Sequence, residues 1–135
     1  VRMARHCENG QAVAEFLASH PKIAYVNYCG LPGDKYHAVA EKYLPNGSCG
    51  VVSFGVKGGR EAAAAFMGHL KLAAIETHVA DARTCCLHPA SSTHRQMNDE
   101  QLIAAGVQPD LVRMSCGLED KNDLIHDIAQ ALDQI

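Results

Sequence analysis

The sequence has no run of lysine or arginine and no long apolar segment. The formal net charge of its 135 residues is −3, whereas a nucleic-acid-binding surface needs clustered positive charge. No apolar stretch approaches the roughly 20 residues that a helix needs to cross a bilayer. We therefore expect neither a nucleic-acid partner nor a membrane partner.

The first residues contain neither a secretion signal nor an initiating methionine. The chain opens with Val1-Arg2-Met3-Ala4-Arg5, which is already helical in character. We therefore expect a piece cut from a longer chain. With 47% hydrophobic and 20% charged residues, residues 1–135 are expected to form a single soluble domain around one core.

No pair of cysteines has the C-x-x-C spacing of a zinc ribbon or a redox site. Most of the six cysteines are expected to be small buried hydrophobes in a reducing cytosol, so we expect a cytoplasmic protein. The eight histidines form no i, i+4 pair on a predicted helix. His88 and His94 flank one loop and could meet in space, but we expect no metal site. The cysteines are Cys7, Cys29, Cys49, Cys85, Cys86 and Cys116.

Hydrophobic periodicity predicts helices that alternate with strands. Asp34 is the expected N-cap of a second helix, Asn98 and Gln101 form a capping box for a fourth, and Gly106 ends that fourth helix. Each helix has one apolar stripe, so the helices should pack on one face of a small sheet, as a two-layer α/β (α+β) domain. Long helices are predicted over 2–19, 60–70 and 120–134, and strands over 23–28, 49–56, 83–87 and around Arg113, with a short apolar segment at 72–75.

Arg113 lies in the middle of an otherwise apolar strand. Val112, Met114 and Cys116 share the face that should meet the domain's own helices, so Arg113 points from the opposite face. One interpretation is an ordinary solvent-exposed arginine. The other rests on the polar loop 88–94, whose hydroxyl groups Ser91, Ser92 and Thr93 follow a strand end. Hydroxyl donors beside a guanidinium suit a small carboxylate, which arginine holds with two parallel hydrogen bonds.

Several segments together resemble the Cys/Met-metabolism family of pyridoxal-phosphate enzymes, and within it the O-acetylhomoserine sulfhydrylase branch. The resemblance covers essentially the whole chain in order, with family-like spacing. The segments that carry it are Arg5-His6-Cys7-Glu8-Asn9, Val26-Asn27-Tyr28 with Gly30-Leu31-Pro32, residues 53–59, His69-Leu70-Lys71-Leu72, His88-Pro89-Ala90-Ser91-Ser92-Thr93-His94, Gly106-Val107 and residues 111–119.

The resemblance implies the small C-terminal domain of the aspartate-aminotransferase type of fold (fold type I), with a mostly antiparallel sheet and helices on one face. The cofactor, pyridoxal 5'-phosphate, would be bound by an N-terminal domain of the same enzyme, which is the implied partner, within a homotetramer. The family's cofactor lysine belongs to that N-terminal domain. No catalytic lysine is therefore expected here, and the lysines in segments that match the small domain are Lys35, Lys42, Lys57, Lys71 and Lys121.

Arg113 matches the family's arginine that grips the α-carboxylate of the amino-acid substrate. The linker before Arg83 would approach the substrate from the other side, which makes His78 and Val79 candidate pocket residues, and Thr93 matches a loop threonine near the substrate. The family usually has Ser or Asn at the position of His78 and Gly at that of Ala80. These departures leave the substrate open.

Two other functions remain in consideration. A γ-lyase or γ-synthase of the same family would use the same arginine with a different reaction. A protein of a different class, a stand-alone module that binds an amino acid through Arg113 for regulation, would need no cofactor domain. A sheet face without a helix of its own would favour a domain that belongs to a larger enzyme.

Overall fold

The computed structural model describes residues 1–135, in which one five-stranded sheet organises the chain. The sheet order is β1-β2-β5-β4-β3, and every neighbouring pair is antiparallel except β3 and β4, which are parallel. The predicted mostly antiparallel sheet is thus confirmed. The strands are β1 (Ile23–Asn27), β2 (Val51–Val56), β3 (Ala74–Ile75), β4 (Cys85–Leu87) and β5 (Leu111–Ser115).

Three long helices pack together on one face of this sheet. None of the helices is long and apolar enough to cross a membrane. The helices are α1 (Arg2–Ser19), α2 (His37–Tyr43), α3 (Gly59–His69), α4 (Asp99–Ala104) and α5 (Lys121–Asp133), with a short 3-10 turn at Pro89–Ser91.

The core lies between the sheet and helices α1, α3 and α5. Alternate side chains of β2 and β5 point toward it, as the period of two predicts, and the rings of Phe54 and Phe66 meet edge to face at 5.8 Å between centroids. The helices thus lie on one face, as expected. The fully buried residues of this cluster include Val13, Ala14, Leu17, Val52, Phe54, Val56, Ala63, Phe66, Val112, Met114, Leu124 and Leu132.

Helix α4 begins and ends where its sequence predicts. The Asn98 side chain accepts from the backbone N–H of Gln101, and the Gln101 side chain accepts from the backbone N–H of Asn98, at 2.9 and 3.0 Å. Gly106 follows the helix with φ of +80°, a conformation that glycine adopts without steric cost. Two local sequence signals therefore set both ends of this helix.

The prediction of Asp34 as the N-cap of α2 was wrong. The helix begins at His37, and its N-cap is Tyr36, which makes no side-chain capping bond. The Asp34 carboxylate instead accepts from the backbone N–H of Tyr36 at 2.8 Å. Aspartate commonly bonds the backbone two residues ahead in this way, and that bond forms a turn that delays the start of the helix.

A buried carboxylate on α5 positions the start of β3. Asp127 is 6% exposed and accepts from the backbone N–H groups of Lys71, Leu72 and Ala73 at 2.8, 2.9 and 2.9 Å. Those N–H groups have left helix α3 and have not yet joined the sheet. The side chain therefore satisfies donors that regular structure cannot.

Candidate functional site

Arg113 lies on the face of β5 that points away from the helices, without an acidic partner. Its Nη2 donates to the carbonyl oxygen of Thr77 at 2.7 Å, and its buried Nε has no hydrogen-bond partner. No aspartate or glutamate of residues 1–135 forms an ion pair with it. A guanidinium has five donors and no acceptor, so most of its binding capacity is free for an anion.

The guanidinium faces a cavity of about 470 Å³. Strand register places Ser53 of β2 and Leu87 of β4 directly beside Arg113 on either side. Thr77 and Thr93 close the cavity from two loops. The cavity thus combines a guanidinium group, hydroxyl groups and apolar side chains. Such a concave surface suits a small molecule with one carboxylate.

The loop 88–94 is anchored by a buried histidine. The Nε2 of His88 donates to the carbonyl oxygen of Pro109, and its Nδ1 lies 2.9 Å from the Ser91 hydroxyl. Burial lowers the pKa of His88, which fits a neutral ring with both nitrogens occupied. Both ring nitrogens of His88 therefore hold the loop 88–94 in place.

The hydroxyl groups of this loop have different roles. Ser91 bonds the His88 ring, and Ser92 donates to the His88 carbonyl oxygen at 2.6 Å, so both stabilise the loop itself. Thr93 lines the Arg113 cavity, and its hydroxyl lies 2.9 Å from Nδ1 of the His94 ring. Of the three predicted donors, only Thr93 is brought to the arginine.

The linker between β3 and β4 contacts Arg113 through its backbone. The carbonyl oxygen of Thr77, 36 residues from Arg113, accepts from the guanidinium, and no local sequence signal marks that contact. His78 does not line the arginine cavity. Its Nδ1 lies 2.7 Å from Oε2 of Glu76, and its side chain is 65% exposed. That contact lowers the pKa of Glu76.

Val79 faces a second, smaller cavity of about 180 Å³, which it lines with His6, Val51 and Ser115. His6 is 2% exposed, its Nδ1 donates to the carbonyl oxygen of Cys116 at 2.6 Å, and its Nε2 has no partner. Val51 lines both cavities, so the two lie side by side along the sheet. The predicted pocket residues thus divide into Arg113 with Thr93, Val79 beside them, and His78 at the outer edge of the linker.

All six cysteines are free thiols. Cys85, Cys86 and Cys116 are buried, and Cys7, Cys29 and Cys49 are partly buried. Burial raises the pKa of Cys116 to about 12 and also raises the pKa of Cys86. These two thiols therefore stay protonated and behave as small hydrophobic side chains.

Comparison with known proteins places the chain in a family of cofactor-dependent enzymes. The family model for Cys/Met metabolism PLP-dependent enzymes matches residues 1–133. The chain belongs to this family, and the resemblance seen in the sequence is confirmed.

Curated relatives and one solved structure match the chain along nearly its whole length. Homocysteine synthase of Schizosaccharomyces pombe is 45% identical over 98% of this chain and 31% of its own length. O-acetyl-L-homoserine sulfhydrylase of Leptospira meyeri is 46% identical over 100% and 31%. The crystal structure of a candidate O-acetylhomoserine (thiol)-lyase of Campylobacter jejuni, which carries a pyridoxyl-lysine phosphate, has a TM-score of 0.89 at 38% identity, covering 98% of this chain and 31% of that one. The chain thus spans about a third of the length of these proteins.

The residues around Arg113 suit a carboxylate and include no lysine that could hold the cofactor covalently. Lys57 donates to the carbonyl oxygen of Pro21, and Lys121 pairs with Glu8. Arg113 is the only arginine or lysine among the residues that line the cavity.

Proposed function

We propose that this chain is the substrate-carboxylate-binding domain of an O-acetylhomoserine sulfhydrylase, a transferase of methionine biosynthesis that converts O-acetylhomoserine and sulfide to homocysteine. The observation that carries the proposal is Arg113, which faces a cavity without an acidic partner of its own. Relatives that bear this name or the name homocysteine synthase support the choice of reaction.

In this proposal the guanidinium of Arg113 holds the α-carboxylate of the amino acid. Thr77 fixes the guanidinium from one side, and Thr93 borders the carboxylate position from the other. Val79 borders the side chain of the substrate from the adjoining cavity, whereas His78 lies at the outer edge of the linker, outside both cavities. Pyridoxal phosphate, when bound, takes up the negative charge that develops at the substrate's Cα. This chain therefore contributes by positioning: it holds the amino acid in one orientation toward the cofactor.

The proposal assigns the cofactor to an N-terminal domain of the same cytoplasmic enzyme, with a homotetramer as the assembly. The open face of the sheet, which carries Arg113, is the surface that this domain would cover. The long helices α1, α3 and α5 pack on the opposite face, where the core cluster lies.

Replacing the arginine in the full-length enzyme tests this role. Arg113→Ala should weaken binding of O-acetylhomoserine by about 2–3 kcal/mol, because a charged hydrogen-bonded pair is lost. Arg113→Lys should recover part of that loss, since lysine keeps the charge without the planar fork. The measurements are KM for O-acetylhomoserine and the dissociation constant of a non-reacting carboxylate analogue.

Arg95→Ala is the matched control, since Arg95 is exposed and lies outside the cavity. It should leave both constants unchanged. Unaltered kinetics in Arg113→Ala would remove Arg113 from the site and overturn the proposed role.

A γ-lyase is the second candidate, because L-methionine gamma-lyase of Fusobacterium nucleatum is 42% identical over the whole chain and 34% of its own length. Incubation of the full-length protein separates the two. A sulfhydrylase forms homocysteine from O-acetylhomoserine and sulfide, whereas a γ-lyase releases a thiol, ammonia and a keto acid from methionine. Binding of an amino acid without either reaction would favour the stand-alone regulatory module.

A further inference from the structure

Three side chains with metal-binding atoms meet at the linker between β3 and β4. One ligand atom from each of Glu76, His78 and Cys85 lies within 4.8 Å of the other two. The spacing of these three residues in the sequence does not by itself bring their side chains together. The parallel pairing of β3 with β4 does so, because Ala74 pairs with Cys85 and the linker then returns over the start of β4.

We propose that Glu76, His78 and Cys85 form a binding site for a zinc-like divalent cation at the outer edge of this linker. Thiolate, imidazole and carboxylate are the three ligand types that Zn²⁺ accepts, and three protein ligands leave a fourth tetrahedral position for water or another donor. Ca²⁺ and Mg²⁺ prefer sites made of oxygen ligands, so a thiol and an imidazole select against them.

The carboxylate of Glu76 is already oriented for this role. Its Oε1 accepts from the Arg83 guanidinium at 2.6 Å, and its Oε2 lies 2.7 Å from Nδ1 of His78. An ion between Oε2 and the imidazole would replace one hydrogen bond and leave the bond to Arg83 intact. Arg83 would then act as an outer partner that fixes the ligating carboxylate.

The ligands form a path from solvent to the interior. The His78 side chain is 65% exposed and that of Glu76 is 30% exposed, whereas Cys85 is 1% exposed. The only hydrogen bond of the Cys85 thiol is a long one of 3.5 Å to the carbonyl oxygen of Arg83. An ion from solvent can therefore bind the exposed imidazole first. The buried thiol can then complete the site from the interior of the domain.

The site adjoins the substrate arginine through one residue. Thr77 lies between Glu76 and His78, and its carbonyl oxygen accepts from Arg113. An ion held by the two flanking residues would fix the backbone at Thr77. Ligation by these residues does not depend on which reaction the enzyme performs.

Cobalt substitution tests the site. The full-length protein, reduced and freed of metal with a chelator, is titrated with Co²⁺ while its visible and ultraviolet spectrum is followed. We expect tetrahedral ligand-field bands and a thiolate-to-cobalt charge-transfer band that saturate at one ion per chain. Zn²⁺ should then displace the cobalt and abolish both. If the parent protein showed no thiolate-to-cobalt charge-transfer band, the proposal would be overturned.

Variants assign the bands to these residues. Cys85→Ser should remove the charge-transfer band, and His78→Ala should lower the Co²⁺ affinity at least about tenfold, because even the loss of an outer partner costs that much. His78 is exposed, so its replacement tests the site even where Cys85→Ser impairs folding. Matched controls are Cys7→Ser and His126→Ala, whose residues lie outside the cluster. The proposal fails if His78→Ala binds Co²⁺ as the parent protein does.

Discussion

At the scale of single residues, Ala80 has an unusual backbone conformation. Its φ is +59°, and every other residue with positive φ is a glycine. Its N–H donates to the Ser115 hydroxyl at 3.0 Å, and its carbonyl oxygen accepts from Arg2 at 2.6 Å. These two bonds hold the linker in a shape that a side chain disfavours.

Ala80→Gly should therefore stabilise the protein. An alanine in the left-handed region costs about 1–2 kcal/mol, whereas the extra freedom of glycine in the unfolded chain costs about 0.4–1 kcal/mol. The net gain should be about 0.5–1 kcal/mol, measured as the free energy of unfolding in urea. Because Ala80 is exposed, no packing is lost.

Ala82→Gly is the matched control for this change. Ala82 is also exposed and lies in the same linker, but its φ is not positive. That variant should lose stability only because glycine gives the unfolded chain more conformational freedom. Equal effects of the two variants would show that the backbone at Ala80 is not strained.

At the scale of helices and strands, the sequence predicted the features that depend only on residues close together in the chain. The capping box at Asn98, the C-terminal glycine at Gly106 and the alternation in β5 all appear in the structure. The start of α2 was missed, because the Asp34 side chain satisfies a turn as readily as a helix N-terminus. Tyr36 and Tyr43, at the two ends of α2, are 58% and 68% exposed, and Ala40 is the only buried residue of that helix.

The connection between α3 and β3 depends on a single side chain. Asp127→Ala should destabilise the protein by about 2–4 kcal/mol, since three backbone N–H groups lose a charged acceptor and one or more remain buried without a partner. Asp127→Asn should destabilise the protein less, because the amide oxygen of asparagine can still accept from some of these N–H groups. Urea unfolding of both variants measures the ranking.

Asp133→Ala serves as the comparison for this pair. Asp133 is exposed at the last turn of α5, where a negative charge is unfavourable to the helix dipole. Its removal should leave stability unchanged or slightly higher. If Asp127→Ala behaved like Asp133→Ala, the carboxylate would not be what positions β3.

At the scale of the whole molecule, the sequence predicted the face from which Arg113 points but not what it touches. Strand periodicity placed the side chain opposite the apolar set of Val112 and Met114, and the core confirms that placement. The contact with Thr77 joins residues 36 positions apart. It follows from the order β5-β4-β3 in the sheet, which no local pattern encodes. The assembly of Glu76 with Cys85 has the same origin.

The open sheet face also predicts what the chain cannot do by itself. Mixed with pyridoxal phosphate, residues 1–135 should show no cofactor absorbance band that survives gel filtration, because no lysine lines the Arg113 cavity and adducts on exposed lysines exchange with water. The full-length enzyme should keep such a band under the same treatment. Far-ultraviolet circular dichroism of the separated chain checks that its helices are folded. A stable band in residues 1–135 would mean that this domain binds the cofactor, and the proposed division between a cofactor domain and a carboxylate-binding domain would then be wrong.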